Sequence, residues 1–300
     1  MMTVQSFILS CCSVVDLSPE VLENRHIEMA PFHFFLNGTE YKDDMGKTLS
    51  SEDFYKAMTE DAEVSTSQVN MDEYTQYFEK FLAAGKDVLH VTLSSGLSGS
   101  FNSARIAAEG LREKYPERKL YLVDSLAASA GGGLLITAMA DRRDAGDDIE
   151  TLYQWAEDHK LSVHHWFTAS DLTWFVKGGR ITKAAGWFGT VLKICPVLNV
   201  DSQGRLVPRF KIRGKQKSLK ELALQMTEHA ENGKEYAGKC YISHSACLED
   251  ARYVATEIEK LFPNLDGPVQ LYNIGPTIGC HTGPGTVALF FWGTPRLDEA

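Results

Sequence analysis

Apolar positions along this chain recur in two alternating rhythms. Short, near-continuous apolar runs predict strands at Asp87 to Leu93, Lys119 to Asp124, Leu161 to Thr168, Lys239 to Ser243 and Val269 to Ile274. A strand covered on both faces has no polar side to show, so such runs suit buried, largely parallel pairing. Ser6 to Val15 reads as a first strand of the same kind ending in a loop. Between the runs, apolar residues three and four apart predict helices. Tyr74, Tyr77, Phe78, Phe81 and Leu82 make one stripe, opened by Asn70 with Glu73 as its capping-box partner and stopped by Gly85. A second helix follows Ser100, with Ala104, Ala107, Ala108 and Leu111 inward, and others cover 130–143, 149–160, 217–230 and 248–261.

Alternation of this kind means an α/β fold. With 300 residues the chain has room for two domains. The boundary is expected near residue 160. A largely parallel sheet would lie in residues 1–160 and a mixed α/β unit in 161–300. No internal repeat or low-complexity tract interrupts the pattern.

Composition narrows the function classes. A net charge of −10 argues against a general nucleic-acid binder, which needs a basic face for phosphates. The six cysteines contain no C-x-x-C pair and no zinc spacing, so metal is not expected. They read as reduced thiols of a cytoplasmic protein. No run of about 18 apolar residues is present, and the N-terminal run is too short and lacks a basic start for a signal peptide.

Five segments place hydroxyls and glycines where a core would not want them. Val64 to Gln68 precedes the capped helix; Ser65, Ser67 and Gln68 suit a capping loop, while Thr66 can offer its hydroxyl to an anion. Leu93 to Ser100 joins a strand end to a helix start, where backbone amides, hydroxyls and close-approach glycines make an anion cradle. Gly96-Leu97-Ser98 also nearly matches a nucleophile elbow, but Ser100 stands where the last glycine belongs. That leaves open a serine hydrolase, with Ser98 as nucleophile, His281 as base and Asp124 as orienter. In Phe167 to Ile181, Ser170 should cap a short helix packing Leu172, Phe175 and Val176 inward, ended by Gly178 and Gly179, with Arg180 following. Arg209, Lys211 and Arg213, joined by Lys215, would form one basic face of a strand: an anti-aggregation edge or a partner-docking surface. Ile274 to Thr286 is a loop crowded with glycine and proline around His281; His244 is a weaker candidate, and the other histidines lack such a setting.

Taken in this order, the five segments resemble the DegV family, over about Ile8 to Phe291. The most specific pieces are Thr66-Ser67-Gln68, Ser94 to Ala104, Leu172 to Ile181 and Ile278 to Thr286. The resemblance extends to the fatty-acid-binding subunit of bacterial fatty acid kinase. It implies a long-chain fatty acid with its carboxylate at Thr66, Ser67, Ser98, the Gly99 backbone, His281 and Thr282, and its tail in an apolar tunnel of the second domain. It implies Arg180 near the head group, Arg209 and Arg213 toward a separate kinase subunit that makes the acyl phosphate, and a binding protein without cofactor or catalysis of its own. A sensor or chaperone for lipids with no kinase partner is a third reading, and at most transient membrane contact is expected. The chain departs from the family pattern at Cys12, where aspartate is usual, at Val69 in place of proline, and at Cys195 in place of lysine before Pro196.

Overall fold

The computed structural model describes residues 7–169, 172–181 and 194–296. Its first half holds seven strands: β1 (Phe7–Cys12), β2 (Ile27–Ala30), β3 (His33–Leu36), β4 (Thr39–Lys42), β5 (Val64–Ser67), β6 (Asp87–Thr92) and β7 (Leu120–Asp124). β2, β1, β6 and β7 form a four-stranded parallel sheet in that order. β4, β3 and β5 form a small antiparallel sheet beside it. The helices here are α1 (Pro19–Asn24), α2 (Ser51–Thr59), α3 (Met71–Leu82), α4 (Ser100–Lys114), α5 (Ala130–Ala145) and α6 (Ile149–His159).

The second half builds a six-stranded mixed sheet from β8 (Val163–Ala169), β9 (Ile194–Val200), β10 (Leu206–Arg213), β11 (Tyr241–His244), β12 (Gln270–Asn273) and β13 (Thr286–Trp292). Its order is β10-β9-β8-β13-β11-β12, and among its described strand pairs only β11 and β12 run parallel. Among the described residues four helices accompany it: α7 (Thr173–Lys177), α8 (Lys215–His229), α9 (Leu248–Leu261) and α10 (Pro276–Thr282).

Local chemistry explains most of these elements. Asn70 accepts from the Glu73 amide at 3.0 Å and Glu73 returns the bond to the Asn70 amide at 2.8 Å, so the capping box starts α3 where the sequence places it. Gly85, at φ +74°, turns the chain out of that helix. α5 is apolar on nearly every side because it is a middle layer: its Leu134, Leu135 and Met139 share one core with β1 on one side and β8 and β13 on the other. α8 and α9 cover the opposite face of the six-stranded sheet.

Three expectations need correction. Val64 to Ser67 is not a loop but the strand β5, held by pairing with β3. The glycine-rich stretch after Ile274 is mostly helical, as α10, because Gly275 and Gly279 let it press against Asp16 and against Tyr55 and Phe54. Arg209, Lys211 and Arg213 do not share a face. The register slips between Pro208 and Phe210, so Arg209 is the extra residue of a bulge and its Nε reaches Asn199 at 2.9 Å. Lys211 and Arg213 lie opposite Pro196 and Ile194, on the other face, and Lys215 opens α8. Ser170 lies outside the described residues.

The halves are joined at a buried arginine. The Arg296 guanidinium is 5% exposed and donates to the carbonyls of Leu126, Lys160, Leu161, Val200 and Asp201 at 2.7–3.4 Å. Burial lowers its pKa to about 10, and the charge is met by carbonyl dipoles.

Candidate functional site

Between the sheets lies a cavity of about 640 Å³. Its polar end is assembled by four elements. β5 brings Thr66 and Ser67, the start of α4 brings Ser98 and Gly99, the last turn of α10 brings His281 and Thr282, and the turn after α7 brings Arg180. All seven ligand-site candidates from the sequence therefore line one cavity. Arg209 and Arg213 lie apart from it on β10.

The geometry at this end is specific. His281 Nε2 and Thr66 Oγ1 are 2.8 Å apart. His281 Nδ1 is buried and has no hydrogen-bond partner among the described residues. Gly178 lies against that atom, and a Cβ there would run into it. Burial pushes the His281 pKa down to about 4, with the Arg180 charge adding to the effect, so the ring is neutral at pH 7. Ser98 Oγ caps the Ser100 amide at 3.2 Å. Gln68 lies over Gly99, so a Cβ there would come within 2.7 Å of its Oε1 and push the side chain from its 3.0 Å hydrogen bond to Ser103 Oγ. Arg180 is exposed at the mouth, donating to the carbonyls of Gly178 and Leu97. Thr282 Oγ1 bonds back to the Ile278 carbonyl at 3.2 Å.

Behind the cradle runs a buried polar chain. Cys12 Sγ lies 3.2 Å from Tyr74 OH, which lies 2.8 Å from Ser100 Oγ. His90 sits beside it, 2.6 Å from Ser10 Oγ and 3.6 Å from Cys12 Sγ. Burial raises the Cys12 pKa to about 11 and lowers that of His90 to about 3. Both groups are neutral, so this is no thiolate–imidazolium pair.

Most of the remaining cavity wall is apolar, with Ser129, His165, Thr277 and Thr286 among its polar members. Phe32, Leu93, Phe167, Phe175, Ala288 and Phe290 are among its walls. Phe175 from α7 stacks on Phe167 at 5.8 Å. Sequence reasoning missed His165, which also lines this wall. The signal was its position two residues before Phe167, since both then face the same side of a strand.

The serine-hydrolase arrangement does not assemble. Asp124 Oδ1 accepts from the amides of Ser95 at 3.0 Å and Leu126 at 3.3 Å rather than orienting His281. The imidazole is paired through Nε2 with Thr66, and its Nδ1 has no orienting acceptor among the described residues. Among the described residues there is also no cluster of three or more His, Cys, Asp or Glu that could hold a metal, and no helix long and apolar enough to cross a membrane.

Comparison with known proteins places this geometry in context. A family model described as an uncharacterised protein of the DegV family matches residues 12–293. A DegV domain-containing protein of Clostridium perfringens, CPE0026, is 36% identical, the alignment covering 97% of this chain and 99% of that one. A stearic-acid-binding protein from Eubacterium ventriosum has a solved structure with a TM-score of 0.84 and 25% identity, over 95% of this chain and 97% of its own. A DegV family protein from Thermus thermophilus, described for its fatty acid binding, superposes at a TM-score of 0.85 with 24% identity, over 96% and 99% of the two chains.

Proposed function

The chain belongs to the DegV family, and from that premise we propose that it binds a long-chain fatty acid, head group at the Thr66–Ser98–His281 cradle and tail in the apolar cavity. The observation that carries this reading is the division of one cavity into a hydroxyl- and imidazole-lined end and a mostly aromatic and aliphatic remainder. A buried carboxylate needs donors. Thr66, Ser98 and His281 supply side-chain groups, and the start of the 15-residue helix α4 adds its favourable dipole end at Gly99. Tail burial dominates affinity. Each methylene contributes about 0.8 kcal/mol, so a tail of about sixteen carbons gains more than ~10 kcal/mol before ordering costs.

His281 Nδ1 has no orienting acceptor among the described residues, which favours a carrier over a hydrolase. The head group lies near the exposed Arg180, which suits presentation to a separate kinase subunit for acyl-phosphate formation. Lys211 and Arg213 share the face of β10 that carries the wall residue Leu206, and are the docking residues this reading selects.

Native mass spectrometry of the purified protein, followed by lipid extraction, tests the binding reading. A co-purifying or added fatty acid should appear at one per chain. An empty protein that refuses added fatty acids would overturn it. Thr66→Val and His281→Ala should each weaken binding about tenfold or more, the loss of one charge-assisted hydrogen bond. Arg213→Glu should slow acyl-phosphate formation with a cognate kinase and ATP while leaving lipid affinity unchanged; equal rates would remove Arg213 from the docking surface.

A further inference from the structure

The tail wall has a countable ladder. β13 and β8 run antiparallel, with Thr286 opposite Ala169, Ala288 opposite Phe167, Phe290 opposite His165 and Trp292 opposite Val163. These alternate pairs share one face of the sheet. Thr286 begins the ladder at the head-group end, where its Oγ1 donates to the Thr282 carbonyl at 3.1 Å. The cavity wall then takes Ala288 with Phe167, and Phe290 with His165. Val163 and Trp292, the next pair, do not line it. The four-residue rise from Thr286 to Phe290 is about 13 Å of strand.

The last lining pair is built to stay in place. The His165 and Phe290 rings meet edge to face, 5.3 Å apart at 90°, and each residue is 2% exposed. His165 Nδ1 donates to the Val163 carbonyl at 3.1 Å, and Nε2 accepts the Ala128 amide at 3.4 Å. Both ring nitrogens are therefore used within the protein, and ring carbon is left for the cavity. Burial keeps this imidazole neutral by pushing its pKa well below the usual value. Behind the ring lies the first turn of α5, so close at Gly131 that a Cβ would collide with the imidazole. The ring has no room to retreat, and this explains the first of the three glycines that open α5.

Resting on the fatty-acid reading above, we infer that His165 and Phe290 form the end stop of the tail site and set the longest acyl chain the protein holds, while Ala288 keeps the middle of the channel open. An acyl chain gains affinity about fourfold per methylene while the added carbon is buried. It loses that gain once the terminal methyl meets a packed wall, because overpacking is itself unfavourable.

The test is a length series on the full chain. Dissociation constants are measured for saturated fatty acids from about twelve to about twenty-two carbons, the affinity climbing about fourfold per methylene to an optimum and then falling. Phe290→Ala should move the optimum to longer acids. Ala288→Leu should move it to shorter acids or weaken the longest ones most. Phe290→Leu, a milder change that keeps the core filled, should shift the optimum in the same direction as Phe290→Ala and serves where the alanine variant does not fold. Binding with an unmoved optimum in folded Phe290 and Ala288 variants would overturn the end stop alone. No binding of any acid by the unaltered protein would overturn the fatty-acid reading and the stop with it.

Discussion

On the fatty-acid reading, His281 faces opposite demands in the empty and the loaded protein. Empty, it is held neutral at about 4 by burial and by Arg180. A carboxylate against the ring would favour the imidazolium, so binding should raise this pKa and take up a proton. Histidine NMR titration with and without fatty acid checks it; an unmoved pKa would place the head group elsewhere. Stability follows the same chemistry in the empty protein. The unfolded imidazole titrates near 6.5, so the contribution of His281 is present above that pH and lost as pH falls toward 4. His164, also held near 4 by burial, acts in the same direction. Asp16 opposes them. It is buried, accepts the Gly275 amide at 2.9 Å and bonds Ser129 Oγ at 2.5 Å, and burial raises its pKa to about 8. Its contribution is present below about pH 4 and lost as pH rises through about 8. Between about pH 6.5 and 8, Tm should decline, and Asp16→Asn, which mimics the protonated acid, should flatten that decline. That Thr66, Ser98, Gly99 and His281 belong to one cavity lining was legible in the sequence, because hydroxyls, a glycine and a histidine in a glycine-rich stretch stood out from core-building residues. His165 was not, because its place on the wall depends on pairing with a residue more than a hundred positions away.

At the scale of elements, legibility followed local chemistry. The α3 capping box is written in four consecutive residues and forms as read. Asn70→Ala should cost about 1 kcal/mol in urea unfolding, with little effect on lipid affinity. β5 escaped notice because it is short, polar and has no apolar face, and only its register with β3 makes it a strand. α10 escaped for the opposite reason. Gly275, Pro276 and Gly279 read as loop, and tertiary packing against α2 overrides that preference. The bulge at Arg209 is invisible to any two-residue alternation, yet it decides which charges share a face.

At the scale of the whole molecule, the α/β class and the parallel first sheet were readable from apolar rhythm, whereas the mixed order of the second sheet was not. β13 enters that sheet between β8 and β11, a placement no local pattern encodes. Arg296 then fastens the result by binding carbonyls from both sides of the cavity. Arg296→Met should destabilise the fold by about 3 kcal/mol or more, because several buried carbonyls lose a charged donor at once. Urea unfolding measures this, and a change under about 1 kcal/mol would show that the clamp is dispensable.

The position of β13 also bears on when the protein can first be filled. Chains leave the ribosome from the N-terminus onward. The cradle residues Thr66 and Ser98 emerge early, but Ala288 and Phe290 belong to the last strand of the second sheet. A nascent chain that has not yet made β13 thus lacks one wall of the cavity. On the fatty-acid reading, a tail can be held only once β13 has taken its place in the sheet.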